Sequence, residues 1–280
     1  MKKLPGRVSI EDNVVFGRGG DRDLLCEVFT PPNESDEQPQ ARAAVLLVHG
    51  GGWVQGDRSQ LRGYGVQLAR YGFVCVCSEY RLATEAPWPA QIEDVNLALR
   101  WMRQHASELG IDADKIAVSG NSAGGHLALM AAGAPHLQDF QGTGGHDDAS
   151  SHVAAVVAIY PPTDLRPRGE QDPLHDVLGM LFGGDTDEQK VAAASPLTHV
   201  HDAFPPTLLI HGNADDLVPE GASFLMYEAL RKAGSSVELH VYDGAPHAFD
   251  AVPEFGHQIT DIMALFLDRK VANPRPVMAG

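Results

Sequence analysis

"KIAVSGNSAGGHLALMAAG", Lys115 to Gly133, decides the fold. Its first part, through Gly120, reads as a short buried strand, and its second part, from Asn121, reads as a helix. At the junction stands "GNSAG", Gly120 to Gly124, a G-x-S-x-G pattern in the strand-to-helix context that gives the pattern meaning. The reason is steric. A residue lifted out of so tight a turn has strained backbone angles, and its neighbours two positions away must be small. Gly120 and Gly124 meet that need. Ser122 then stands at the helix N-terminus, where backbone N–H groups face developing negative charge. A glycine-rich turn with a serine N-cap would carry the same letters, so the rest of the chain must supply the partners.

Outward from this junction, apolar runs alternate with helical patterns. "VVFG" and "LLCEVF" read as an opening antiparallel pair, and "AVLLVH" (44–49) and "FVCVCSEY" as strands buried on both faces. Leu61, Tyr64, Leu68 and Tyr71 recur at helical spacing. Ile92, Val95, Leu99, Met102 and Ala106 line one face of a helix that begins after prolines and ends at Gly110. "VAAVVAIY" (153–160), "PTLLIHG" (206–212) and "VELHVYDG" (237–244) are further strands, with helices near 219–233 and 256–270. Strands separated by helices of this length make βαβ units and a mainly parallel sheet. Residues 136–152 read as an exposed, mobile Gly/polar loop. Residues 161–205 exceed a usual connection and carry helical pieces, which reads as a small cap on a single domain spanning 1–280. The ending "VANPRPVMAG" reads as a frayed tail.

Composition narrows the partners. The chain of 280 residues has 21 Lys and Arg against 37 Asp and Glu, a net charge of −16. That balance argues against nucleic acid and anionic lipid, which need clustered basic residues. No run of 18 apolar residues exists for a membrane span, and "MKKLPGRVSIEDN" lacks the apolar stretch of a secretory signal. Cys26, Cys75 and Cys77 are few, and two lie in a strand, so free thiols and a cytoplasmic setting are expected. A homodimer is left open.

Two more residues fall where a serine nucleophile needs them. Asp215 lies in "HGNADDLVP" after one strand, and His247 in "GAPHAF" after the last, both at the carboxyl ends of strands where open α/β sheets bind ligands. The order Ser122, Asp215, His247 is that of a Ser-acid-His triad on such a sheet. Asp216 and Asp164 are the competing acids. His240 and His257 fall inside a strand and a helix, His211 reads as a structural hydrogen-bonder and His126 as core. "HGGGW", His49 to Trp53, precedes the serine and matches the loop type that offers bare N–H groups to an oxyanion. Gly51 and Gly52, with Ala123, are its expected donors. No Lys follows the glycines, and G-x-G-x-x-G does not occur, so a phosphate loop is excluded.

"HGGGW", "SEYRLATEAPWPAQIEDV", "GNSAGG", "HGNADDLVP" and "PHAF", in this order across about residues 44 to 250, resemble an α/β-hydrolase of the hormone-sensitive-lipase-like esterase group. The resemblance implies a mostly parallel eight-stranded sheet flanked by helices, a Ser122–Asp215–His247 triad, an oxyanion hole at Gly51, Gly52 and Ala123, and no metal or cofactor. It implies a serine carboxylesterase for short-chain acyl or aryl esters. "SEYRLATE" departs from the usual "YRLAPE", and the chain also resembles arylformamidases of the same superfamily. A non-catalytic ligand-binding protein is the alternative of another class, which the presence of His247 opposes. Trp53, Leu178 and Phe182 are the expected pocket walls, Trp88 reads as core, and Glu79 and Arg81 as loop supports.

Overall fold

The β-strands form where apolar residues run without interruption, because both faces of a central strand are covered. The computed structural model describes residues 1–32, 41–166, 169 and 171–276. In it β1 (Ser9–Gly19) and β2 (Arg22–Thr30) form an antiparallel hairpin at one edge. Then come β3 (Arg42–Val48), α1 (Arg62–Arg70), β4 (Val74–Ser78), α2 (Ala90–Gln104), α3 (Ala106–Leu109), β5 (Ile111–Asn121) and α4 (Ala123–Gly133). The chain ends with β6 (Ala155–Ile159), α5 (His175–Leu181), α6 (Glu188–Ala193), β7 (Thr207–Gly212), α7 (Gly221–Lys232), β8 (Val237–Tyr242) and α8 (Pro253–Leu267). The eight strands lie in the order β1-β2-β4-β3-β5-β6-β7-β8. Pairing is antiparallel through β2 and β4 and parallel from there on. This is an α/β-hydrolase sheet.

Strand alternation splits the core into two layers. Ala44, Leu46 and Val48 of β3 pack with residues of α2 and α4, while Val45 and Leu47 pack with residues of α1 and α8. Cys75 and Cys77 join the second layer as buried free thiols, and burial pushes their pKa up. Among the described residues, no helix is long and apolar enough to cross a membrane.

Three segments depart from the sequence expectation. The helix expected to run to Gly110 breaks at His105, and Gly110, at φ +66°, closes the short α3. The 136–152 loop is tied down rather than free. Asn96 donates to the Phe140 carbonyl at 2.8 Å, Arg100 to that of Gln141 at 2.9 Å, and Arg103 to that of His152 at 2.6 Å. The loop's backbone carbonyls are satisfied by polar side chains of α2, of which Asn96 and Arg100 are buried, and composition does not reveal this. The chain after α8 continues as one wide helical turn, Asp268–Ala272, with Val271 buried and Arg275 paired with Asp268. Of that tail, residues 277–280 lie outside the described residues, as do 167, 168 and 170 of the 161–205 segment.

Candidate active site

The turn between β5 and α4 has the strain its sequence implied. Ser122 holds φ +52° and ψ −120°, a region L-residues avoid. Its N–H donates to the Ile159 carbonyl at 2.8 Å and its C=O accepts from His126 N–H at 2.9 Å, which pins the turn from both sides. A Cβ on Gly124 would lie 2.0 Å from the Val48 carbonyl oxygen, and one on Gly120 2.3 Å from that of Gly124. Both obstacles are backbone and cannot swing away. Gly124→Ala is therefore expected to destabilise the fold by on the order of 3 kcal/mol, as overpacking of a fixed wall does; urea unfolding measures it.

The loops after β7 and β8 bring Asp215 and His247 to this serine. Ser122 Oγ lies 3.0 Å from His247 Nε2, and His247 Nδ1 lies 2.7 Å from Asp215 Oδ2. Asp215 Oδ1 accepts from the amides of Leu217 at 3.0 Å and Val218 at 2.8 Å, so the carboxylate is clamped by its own loop. His211 sits wholly buried behind it, its Nε2 2.7 Å from the Val218 carbonyl and 3.4 Å from Asp215 Oδ2. Burial pushes the Asp215 carboxyl up, but hydrogen bonds from His211, His247 and the Val218 amide outweigh it and hold the group well below the usual carboxylate range. Asp164, the competing acid, pairs with Arg166 at 2.6 Å.

The glycine loop lies beside the serine. Gly51, Gly52 and Trp53 all have positive φ, +112°, +59° and +62°. No hydrogen-bond acceptor among the described residues takes the N–H of Gly51, Gly52 or Ala123. A Cβ on Gly51 would lie 2.1 Å from the Gln55 carbonyl oxygen, because Val54 and Gln55 fold back to donate to the Gly51 carbonyl. Glycine is thus needed at 51 for the loop's own turn. At Gly52 a Cβ meets no backbone, only the side chains of Val177, at 3.3 Å, and Val54, at 3.9 Å, among its nearest neighbours.

A cavity of about 350 Å³ opens over Ser122, bordered by the glycine loop, Tyr160, Leu174, Val177, Leu217 and His247. Trp53 borders it too, although its indole is buried. Leu178 and Phe182 do not: they border a separate cavity of about 230 Å³ in the 161–205 segment. The expectation that they wall this pocket is corrected by helix geometry. One step along α5 turns a side chain by about 100°, so Val177 faces the serine and Leu178 joins the buried core. Glu79 lies between Arg22 and Arg58, and Arg81 pairs with Glu93 and Asp94, so both support loops away from the cavity.

Two hydrogen-bonded groups around the site went unseen in the sequence. Tyr160, directly after β6, donates its hydroxyl to Asp250 and accepts from Asn121 Nδ2 at 3.1 Å, and its ring packs 4.6 Å from that of His247. Tyr64 donates to the second Asp250 oxygen at 3.0 Å. Burial and the Asp250 charge push both phenols well above their usual pKa, so they stay donors. Only the position of Tyr160 at a strand's carboxyl end could have signalled this.

The second group centres on His126, one turn into α4 and fully buried. Trp53 Nε1 donates to its Nδ1 at 3.3 Å, and its Nε2 donates to the Ala194 carbonyl at 2.7 Å. Burial lowers its pKa from 6.5 to about 4, although the Ala194 bond opposes this. Below pH 6.5 the unfolded chain takes up a proton that the folded imidazole refuses. Stability therefore falls as pH drops toward 4, by about 3 kcal/mol from this group. A His126→Asn variant is expected to flatten that part of the slope in urea titrations between pH 4 and 7.

Comparison with known proteins agrees with this geometry. Esterase LipQ of Mycobacterium tuberculosis is 33% identical over 251 residues, covering 85% of this chain and 57% of the relative, so the chain spans little more than half of that protein's length. Esterase 2 of Thermogutta terrifontis, solved phosphonylated by sarin, superimposes with a TM-score of 0.81 at 29% identity over 98% of each chain. A truncated carbohydrate esterase from gut microbiota superimposes with a TM-score of 0.80 at 26% identity, over 92% of this chain and 96% of that one. The profile of the BD-FAE family matches residues 26–230. That match covers most of the chain and includes the glycine loop, the serine turn and Asp215, and the chain belongs to the BD-FAE family.

Proposed function

We propose that this protein is a serine carboxylesterase that hydrolyses short-chain acyl or aryl esters, with Ser122 as nucleophile. The observation that carries the reading is the hydrogen-bonded line from Ser122 through His247 to the clamped Asp215, beside three amides without an acceptor among the described residues. His247 takes the Ser122 proton as the hydroxyl attacks the ester carbonyl, and Asp215 holds the imidazole with its Nδ1–H turned inward. The amides of Gly51, Gly52 and Ala123 receive the developing oxyanion. His247 then returns the proton to the leaving alcohol. The same imidazole activates water to release the acid. The "HGGGW" and "GNSAGG" pieces support a place among hormone-sensitive-lipase-like esterases, and residues 161–205, which contribute Leu174 and Val177 to the cavity, act as a small cap on a single domain.

Short acyl groups fit a cavity of about 350 Å³, and the Thermogutta esterase is seen with propionate and with butyrate bound. A panel of p-nitrophenyl esters of increasing acyl length, with aryl acetates, feruloyl esters, acetylated sugars and N-formylkynurenine, tests the reading. Highest kcat/KM between acetate and butyrate is expected. A rate that climbs through long acyl chains, or that is highest on N-formylkynurenine, would overturn it.

A further inference from the structure

The loop that carries Gly51 and Gly52 needs something to hold it. Three successive residues lie at positive φ, and one of them is a tryptophan. For a bulky side chain that backbone is strained, and it persists only where the surroundings fix it. Backbone bonds do part of this: Trp53 C=O accepts from Ala83 N–H at 2.8 Å. The side chain does the rest. The indole is almost fully buried, packs edge-on against His126 at 5.1 Å between ring centres, and gives its single N–H to His126 Nδ1. Indole offers no other polar atom, so this bond alone fixes its polar edge.

His126 is placed to connect three parts of the site. Its backbone N–H bonds to the Ser122 carbonyl, one side-chain nitrogen meets Trp53, and the other meets the carbonyl of Ala194 at the end of α6. Trp88 closes the remaining side, 5.7 Å away and also buried. Only the neutral Nε2–H tautomer serves both side-chain bonds, since Nδ1 must accept and Nε2 must donate. We propose that His126 is a positioning residue for the oxyanion loop, holding the Gly51 and Gly52 amides in register with Ser122 through the Trp53 indole, and that its bond to Ala194 is the lesser, supporting arm.

The two arms can be cut separately. The amide oxygen of Asn reaches about where Nδ1 stands, and the amide nitrogen of Gln about where Nε2 stands. His126→Asn therefore keeps an acceptor for Trp53 and loses the Ala194 bond, whereas His126→Gln keeps a donor for Ala194 and leaves the indole N–H without its partner. Trp53→Phe removes the donor while keeping an aromatic ring in the same place.

The experiment measures kcat and KM on p-nitrophenyl acetate for the full chain and these three variants. Concentrations are set by active-site titration with a fluorophosphonate, so that only folded, competent protein is counted. Weakened oxyanion binding acts on the transition state, so kcat should fall by roughly tenfold in His126→Gln and in Trp53→Phe, with KM within about twofold. His126→Asn should recover most of that loss. The double variant Trp53→Phe, His126→Gln should be no slower than either single one, because both cut the same bond. Equal losses in Asn and Gln, additive losses in the double variant, or a loss confined to KM would each overturn the proposal. The proposal rests on Ser122 and the glycine loop being the reactive site. Wild-type protein that hydrolyses the ester yet takes up no fluorophosphonate would overturn that assignment and this inference together, whereas normal titration with unchanged kcat in the variants would overturn this inference alone.

Discussion

Replacing Ser122 with Ala is expected to lower kcat/KM on p-nitrophenyl acetate by about 10⁴- to 10⁶-fold, with KM little changed in what activity is left, as loss of the covalent nucleophile does in serine hydrolases. The hydroxyl is the only atom removed. Ser122 keeps its N–H bond to Ile159 and its C=O bond to His126, both of which are backbone. Alanine meets the same strain at φ +52° as serine does, so the turn has no reason to relax. Stability should stay within about 0.5–1 kcal/mol of the parent. The residual rate would come from the amides and from water activated by His247. A variant that retains a tenth or more of the parental rate would remove Ser122 from the mechanism.

Asp215→Asn is expected to lower kcat by about 10,000-fold at neutral pH, in line with the loss of the carboxylate from comparable triads. The reason lies in the clamp. Asp215 Oδ1 accepts two amides, from Leu217 and Val218, so an Asn in its place must turn its own oxygen toward them. Its NH2 then faces His247 Nδ1, and His211 Nε2 lies close behind. Donor meets donor. His247 escapes by moving its proton to Nε2, and in that tautomer it can no longer take a proton from Ser122. The same substitution should change the acid limb of stability. The folded-state pKa of Asp215 lies below its usual value, so the group stabilises the fold fully above about pH 4 and loses that contribution as pH falls further. Asn lacks this dependence, and its urea midpoint should vary less with pH in that range. Parental kcat in Asp215→Asn would mean that His247 needs no charged partner.

Much of the fold was legible because its causes are local. Apolar runs such as Val45 to Val48 can only be central strands, and Gly120 and Gly124 sit beside Ser122 because backbone oxygens crowd their Cβ positions. Asp215 and His247 could be named because strand ends converge on one edge of a parallel sheet. What stayed hidden depends on the rotation of a side chain or on a partner far away in sequence. Leu178 and Val177 are adjacent and both apolar, and only the seating of α5 decides which one looks at the serine. Gly51 reads as making room for a substrate oxygen, yet its nearest constraint is the carbonyl of Gln55, four residues on. Asn96, Arg100 and Arg103 look like the outer face of a helix until the 136–152 loop lies down on them. The bonds from Tyr160 to Asp250 and from Trp53 to His126 join residues 90 and 73 positions apart, beyond any short motif.

The central claim is that one serine, Ser122, is activated by His247 and Asp215. Treating the protein with a paraoxon-type organophosphate, then measuring intact mass and mapping the modified peptide, tests it most directly. The expected result is a single phosphoryl adduct on Ser122, formed in step with loss of esterase activity and absent from Ser122→Ala. An adduct on another residue, or full loss of activity with Ser122 unmodified, would contradict the account.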